Sequence, residues 1–232
     1  MSMYELTPEQ LRKVVEEAVR EAVREAVRPR MLVPVGISAR HIHLTREDLA
    51  RLFGHGYELT VKKELSQPGQ YAAEETLDII GPKGTLRHVR ILGPLRSRTQ
   101  IEVSQSDLRT LGLSAPVRSS GDTDGTPGVT LEGPCGRITT ADGVIIADRH
   151  VHLSLQEAAQ FHLKDGDYVT IRIDGVKCGT MGHVLVRASE NFRKDFHIDT
   201  DDANAFLLKQ GQLVEILPQE GPENRPGCLA QS

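Results

Sequence analysis

Four of the nine histidines in this 232-residue chain sit in two short stretches, RHIHLTRED at 40–48 and RHVHLSLQE at 149–157. In each, two histidines are one residue apart. On an extended strand, residues i and i+2 point to the same face, so each H-x-H offers two imidazoles to one ion. The surrounding pattern recurs as His43-Leu44-Thr45-x-x-Asp48, Glu102-Val103-Ser104-x-x-Asp107, His152-Leu153-Ser154-x-x-Glu157 and His197-Ile198-Asp199-x-x-Asp202. Each copy has a candidate ligand, an apolar residue, a helix-capping residue and an acid three positions after the cap. Cap and acid together satisfy free backbone N–H groups at the start of a short helix. One strand-to-helix corner is therefore expected four times, with a His or Glu two residues ahead of each cap.

Adding Glu102 to one H-x-H pair and His197 to the other makes two three-ligand sets from His41, His43, His150, His152, Glu102 and His197. The chain alone does not say which third ligand joins which pair. Three protein ligands with one position left open is the pattern of a catalytic zinc. Imidazole and carboxylate donors suit Zn²⁺, with Fe²⁺ or Co²⁺ also compatible. A lone H-x-H is more often an ordinary pair of strand histidines, but two copies with matching corners reverse that weighting. His55, His88, His162 and His183 lack this context and read as structural or solvent-facing.

Groups that hold an anion lie nearby in sequence. Arg90, Arg96, Arg98 and Gln100 run just ahead of Glu102, and Arg187 precedes His197. The guanidinium fork matches phosphate oxygens bidentately. Gln67 and Gln70 flank a turn, and Ser119 and Ser120 open a Gly-rich loop whose N–H groups suit an anion. There is no G-x-S-x-G, and none of Cys135, Cys178 and Cys228 falls within a few residues of a candidate ligand. The expected chemistry is metal-assisted attack by a bound small molecule or water, without a protein nucleophile.

The elements that must position these groups are mostly strands. LDIIGPKGTLRHVRILGPL reads as a hairpin around Gly-Pro-Lys-Gly, and DYVTIRIDGVKCGTMGHVLVRAS as another through Asp174-Gly175. Many short strands with few long helices point to a mainly β fold of small barrels, with a simple division near residue 120. Aromatics are only 4% of the chain, so its cores must be built from Val, Leu, Ile and Ala. The N-terminus reads as an amphipathic helix: Thr7 caps it, Pro8 suits its first turn, Gln10 completes a capping box, and Pro29 ends it. Residues 218–232 are Pro/Gly/polar and read as a disordered tail. A net charge of −4 with no basic stripe argues against nucleic acid. No secretory signal or long apolar run is present, so a cytosolic protein without a membrane partner is expected.

The segments VGISARHIHL, LSQPGQYAAEET, ILGPLRSRTQIEVS, Gly-Thr-Pro-Gly at 125–128, GVIIADRHVHLS and HIDTDDANA resemble the PduL-type phosphate propanoyltransferases, the phosphotransacylases of bacterial microcompartments. The resemblance runs from about residue 31 to 217, with the motifs in order. It implies a mainly β fold of two small β-barrel domains with short capping helices. The implied divisions are an encapsulation-like helix at 1–29, a strand at 30–39 that joins the second barrel, a first barrel at 40–147, a second at 148–217 and the tail at 218–232. It also implies two zinc ions, one on His41, His43 and Glu102 and one on His150, His152 and His197. Arg96, Gln67, Gln100, Ser120 and Arg187 match positions associated with phosphate, and Ser38, Lys63, Arg90, Leu92 and Asn204 positions near coenzyme A. The implied reaction is reversible acyl transfer from acyl-CoA to phosphate. Its setting would be a microcompartment in the cytoplasm, reached through the N-terminal helix, with a homo-oligomer as the expected state. A dinuclear zinc hydrolase and a zinc-stabilised scaffolding module of a protein shell are the competing readings.

Overall fold

The computed structural model describes residues 7–26 and 30–217, so the expectations for Pro29 and for the tail at 218–232 lie outside the described residues. The chain divides into a unit at Met1–Met31 and a unit at Leu32–Ser232. In the first, α1 (Pro8–Ala26) starts in a capping box. The Gln10 N–H donates to Thr7 Oγ1 at 3.2 Å and the Thr7 N–H to Gln10 Oε1 at 2.9 Å. Its apolar stripe of Leu11, Val14, Val15, Val19 and Val23 is more than half exposed at every position.

In the second unit, β1 (Met31–Ser38) leads into β2 (His41–His43) and α2 (Arg46–Phe53). β3 (Val61–Glu64) precedes the hairpin of β4 (Tyr71–Ile80) and β5 (Thr85–Gly93), which turns at the Gly-Pro-Lys-Gly motif. β6 (Gln100–Glu102) runs into α3 (Gln105–Leu111). β7 (Val117–Arg118) is followed by a second hairpin, β8 (Thr130–Gly133) and β9 (Gly136–Thr139). The order then repeats. β10 (Val144–Ala147) leads into β11 (His150–Leu153) and α4 (Leu155–Gln160). β12 (Tyr168–Ile173) and β13 (Gly179–Ala188) form the hairpin predicted through Asp174-Gly175. β14 (Asp195–Asp199) runs into α5 (Thr200–Phe206), and β15 (Leu213–Ile216) completes the unit.

Six strands close a barrel in the order β1-β14-β11-β13-β12-β15. The other nine form a sheet in the order β7-β10-β6-β2-β5-β4-β8-β9, with β3 added against β4. The fold is mainly β, and of the two barrels expected, one is closed by its strand pairing while the first half is a nine-stranded sheet. The strand that feeds each H-x-H motif belongs to the opposite lobe. β1 runs parallel to β14 with Gly36 opposite His197, and β10 runs parallel to β6 with Ile145 opposite Glu102. A simple division near residue 120 is therefore incorrect: pairing carries β1 into the barrel and keeps β8, β9 and β10 in the sheet. This reciprocal exchange places both histidine motifs at the junction of the lobes.

Branched aliphatics fill the interior, as the scarcity of aromatics requires. In the sheet lobe Ile42, Leu44, Leu49, Leu52, Ile91, Ile101, Leu108 and Leu111 share one buried cluster. On the barrel strands Val33, Val35, Val151, Val184, Val186 and Phe196 are fully buried. The Gly-Thr-Pro-Gly motif has a steric cause: Gly125 has φ +70°, and a Cβ on Gly128 would lie 1.9 Å from the Thr140 carbonyl oxygen. Gly128→Ala should therefore lower stability by about 1–3 kcal/mol, the usual cost of forcing atoms into a packed site. A urea midpoint equal to that of the parent protein would show that the backbone at 128 and 140 moves apart freely.

Candidate active site

All four strand-to-helix corners are built as their sequences dictate. The side chains of Thr45, Ser104, Ser154 and Asp199 each cap a helix by accepting from the N–H of Asp48, Asp107, Glu157 and Asp202. The strands ahead of the caps pair antiparallel in the same register twice over. His41 faces Glu102 across β2 and β6, and His150 faces His197 across β11 and β14. That register brings Glu102 beside His41 and His43, and His197 beside His150 and His152. In both sets the donor atoms lie within 4.8 Å of one another.

The arginine ahead of each H-x-H has a matching duty. Arg40 pairs with Asp107 at 2.8 Å and Arg149 with Asp202 at 3.2 Å. Each acid belongs to the helix cap that follows the third ligand, so the arginine ties the crossover to the opposite corner. The first histidine of each pair is also fixed in the same way: His41 Nδ1 meets the Ala39 carbonyl at 2.9 Å, and His150 Nδ1 the Asp148 carbonyl at 2.8 Å. Their Nε2 atoms are left for the site.

In the sheet-side set, His41 Nε2 lies 3.3 Å and His43 Nε2 3.9 Å from Glu102 carboxylate oxygens. Burial alone would raise the Glu102 pKa, but His41, His43 and the Ser120 hydroxyl outweigh it and hold the carboxyl well below the usual range. Burial lowers His41, but the Glu102 charge and hydrogen bond prevail and raise it. His43 is pushed down to about 3 by burial, then by His41 and Arg96. Gln100 Nε2 and Ser120 Oγ both donate to Glu102 Oε1, at 2.5 Å and 2.8 Å.

In the barrel-side set, burial and the neighbouring His197 lower His150 to about 4. Burial, His150 and His197 lower His152 to about 2. Both rings therefore stay neutral near pH 7, the form in which imidazole ligates a metal. His152 is buried, and neither of its ring nitrogens has a hydrogen-bond partner. An unmade bond at a buried polar atom costs about 1–3 kcal/mol, which an ion beside the ring removes. This orphaned imidazole, among His150 and His197, fits a zinc set of three histidines, and the other set fits two histidines and a carboxylate. His197 Nε2 donates to Asp195 at 2.9 Å. Burial raises Asp195, but its bonds from His197 and Ser66 and the His197 charge keep its carboxyl below the ordinary value.

Both sets open on one cleft. Arg96 from the sheet lobe and Arg187 from the barrel line it, as do Ser120, Ser38 and Leu92. Arg96 Nη1 donates to Ser120 Oγ at 3.0 Å. Arg187 stands opposite His152 in the parallel pairing of β11 and β13, and its guanidinium lies 5.7 Å over the Phe192 ring, which also stacks on His152.

Other candidates are placed elsewhere. Gln67 is buried with both ends of its amide bonded to the Arg193 backbone, and Gln70 lines the cleft instead. Gln100 sits behind Glu102. Arg90 donates to the Ala73 and Glu74 carbonyls, while Lys63 and Asn204 are exposed away from the cleft walls. His55, His88, His162 and His183 are exposed. Sequence reasoning missed Arg40, Arg149, Phe192 and Asp195. The first two carried a signal in the repeated R-H-x-H; Phe192 and Asp195 carried none.

The fold and site define a class: a mainly β protein whose two lobes share a cleft with two groups able to hold a metal ion and an arginine from each side. A family model for phosphate propanoyltransferases matches residues 34–209, and the chain belongs to that enzyme family. It is 51% identical over 184 residues to the phosphate propanoyltransferase of Thermotoga maritima, covering 79% of this chain and 88% of that one. The phosphate propanoyltransferase of Rhodopseudomonas palustris (strain BisB18) is 50% identical over 184 residues, covering 79% and 81%. That of Salmonella typhimurium (strain LT2) is 46% identical over 202 residues, covering 87% and 91%.

Proposed function

We propose that this protein reversibly transfers a short acyl group, propanoyl, from acyl-CoA to inorganic phosphate at a centre of two zinc ions. The observation that carries this reading is the presence of Arg96 and Arg187, one from each lobe, on the walls of the cleft that holds both ligand sets. Two cations facing one space call for an anion between them, and guanidinium suits phosphate. The name of the relatives supplies the acyl group.

His41, His43 and Glu102 would hold one ion, and His150, His152 and His197 the other. Bound there, zinc supplies Lewis acidity toward an oxygen of substrate or transition state. Arg96 and Arg187 bind phosphate and turn one oxygen toward the thioester carbonyl. Ser120, bonded to both Arg96 and Glu102, keeps the arginine in register with the sheet-side set. The phosphate oxygen bonds to the carbonyl carbon, the carbon–sulfur bond breaks, and CoA leaves as a thiolate carrying the electron pair. The attack is direct: Cys135 and Cys178 are exposed and neither lines the cleft. Ser38 and Leu92 flank the thioester end of CoA, with Lys63, Arg90 and Asn204 toward its nucleotide end. Gln67 and Gln100 act on phosphate only through the loop and the carboxylate they brace.

The half-exposed apolar stripe of α1 supports a docking role toward shell or lumen proteins of a bacterial microcompartment in the cytoplasm. No helix among the described residues is long and apolar enough to cross a membrane. On this reading the protein is a homo-oligomer made of a docking helix at 1–29, a strand at 30–39 exchanged into the barrel at 148–217, and the sheet lobe at 40–147 in the part of the first barrel.

Thiol release from propanoyl-CoA tests the reading, assayed with and without phosphate on chelator-treated and zinc-restored protein. Release should require both phosphate and metal. Release that needs metal but ignores phosphate would make the protein a hydrolase, and no release from folded, zinc-loaded protein would leave the histidines structural.

A further inference from the structure

The two third ligands are each braced from two residues earlier on their own strand, and the braces have opposite polarity. Glu102, an acceptor, receives hydrogen bonds from Gln100 Nε2 and from the Ser120 hydroxyl. His197 donates its Nε2–H to Asp195 Oδ2, and the same oxygen accepts the Ser66 hydroxyl. Gln100 and Asp195 occupy matching places, opposite His43 and His152 in the two antiparallel registers. Where the ligand is a carboxylate its brace is a donor, and where the ligand is an imidazole its brace is a carboxylate. A polar pair that served only packing would have no reason to follow the ligand in this way.

The barrel-side brace is also tightly enclosed. Asp195 is 4% exposed, and a Cβ on Gly36 would lie 2.8 Å from both Asp195 Oδ1 and His197 Cδ2. Ser66 comes from the other lobe, on a segment pinned by the double bond of Gln67 to the Arg193 backbone. With Nε2 committed to Asp195, the free donor atom of His197 is Nδ1. In His41 and His150 the carbonyl contacts sit on Nδ1 and leave Nε2.

We propose that Asp195, held by Ser66, is a positioning residue that fixes the Nε2–H tautomer of His197, so that this histidine, unlike His41 and His150, presents Nδ1 to a metal ion. The proposal rests on the zinc reading of the three-histidine set. Carboxylates behind a ligating histidine orient the ring and raise its basicity, and their loss typically weakens metal binding about 10–100-fold. Asp195→Asn keeps the shape but removes the charge and adds an N–H that favours the opposite tautomer.

The test uses full-length zinc-loaded protein. Chelator competition should show two zinc ions per chain in the parent. In Asp195→Asn one of them should bind about 10–100-fold more weakly, with the other unchanged; Ser66→Ala should weaken the same ion. Long-range ¹H–¹⁵N correlation spectra of the parent, which need no variant to fold, should show His197 protonated at Nε2 and His41 and His150 at Nδ1. A zinc-bound His197 protonated at Nδ1, or both ions as tight in Asp195→Asn as in the parent, would overturn the proposal and leave the zinc reading standing. A parent protein that takes up no zinc would overturn both.

Discussion

Arg96→Ala should lower phosphate-dependent thiol release by about 10²–10³-fold, the loss expected when one preorganised donor is removed from developing charge. The side chain is half-buried at the cleft wall, bonded to Ser120, and its backbone N–H is tied to the Leu44 carbonyl at 2.9 Å. Burial lowers the Arg96 pKa, Glu102 offsets this, and Arg187 lowers it again across the cleft. An anion between the two guanidiniums removes that repulsion, which is why losing one of them should cost more than a single contact. Arg96→Lys should recover only part of the loss, because an ammonium keeps the charge without the fork. Zinc content should be unchanged, since no ligand is touched. Arg98→Ala is the control: Arg98 is exposed and paired with Asp124 and Asp142, so turnover should stay near the parent value. Turnover by Arg96→Ala equal to the parent's would remove the observation on which the phosphate reading rests.

The parts of this site legible in the sequence are those set by local rules. The two-residue side-chain period put His41 and His43, and His150 and His152, on common faces, and capping chemistry located four helix starts at Thr45, Ser104, Ser154 and Asp199. Neither rule sees beyond a few residues. The exchange of β1 and β10 between lobes depends on parallel pairing of distant segments, Gly36 with His197 and Ile145 with Glu102, which leaves no local pattern. Gln67 illustrates the same limit from the other side. Its position ahead of a turn suited an anion, but both ends of its amide are taken by a backbone 126 residues away. Ser66 and Asp195, 129 residues apart, meet only because those segments do. Arg40 and Arg149 were written twice in plain view, and only the cap acids opposite them explain the repetition.

Chelator-treated protein should lose several kcal/mol of stability between pH 7 and pH 5, a large part of the ~5–15 kcal/mol that holds a typical domain together. His43 is held down to about 3, His150 to about 4 and His152 to about 2, in each case mainly by burial. Unfolded, each takes its proton near pH ~6.5. Below that value the unfolded state binds more protons than the folded one, so stability falls with pH, by roughly 2 kcal/mol per histidine at pH 5. One group runs the other way and one stays flat through this window, so neither reverses the sum. His41 is raised, so its contribution is complete below the unfolded value and is lost only as pH rises through the folded one. Glu102 is lowered, so its contribution persists through this window and fails only in stronger acid. Urea midpoints at pH 7, 6 and 5 measure the slope. On the proposed zinc reading the ion takes the same neutral imidazoles, so it should restore the midpoint at pH 7 and lose affinity as protons compete for the ligands. A flat midpoint in metal-free protein would mean that His43, His150 and His152 titrate normally in the folded state, with water reaching the rings from the cleft.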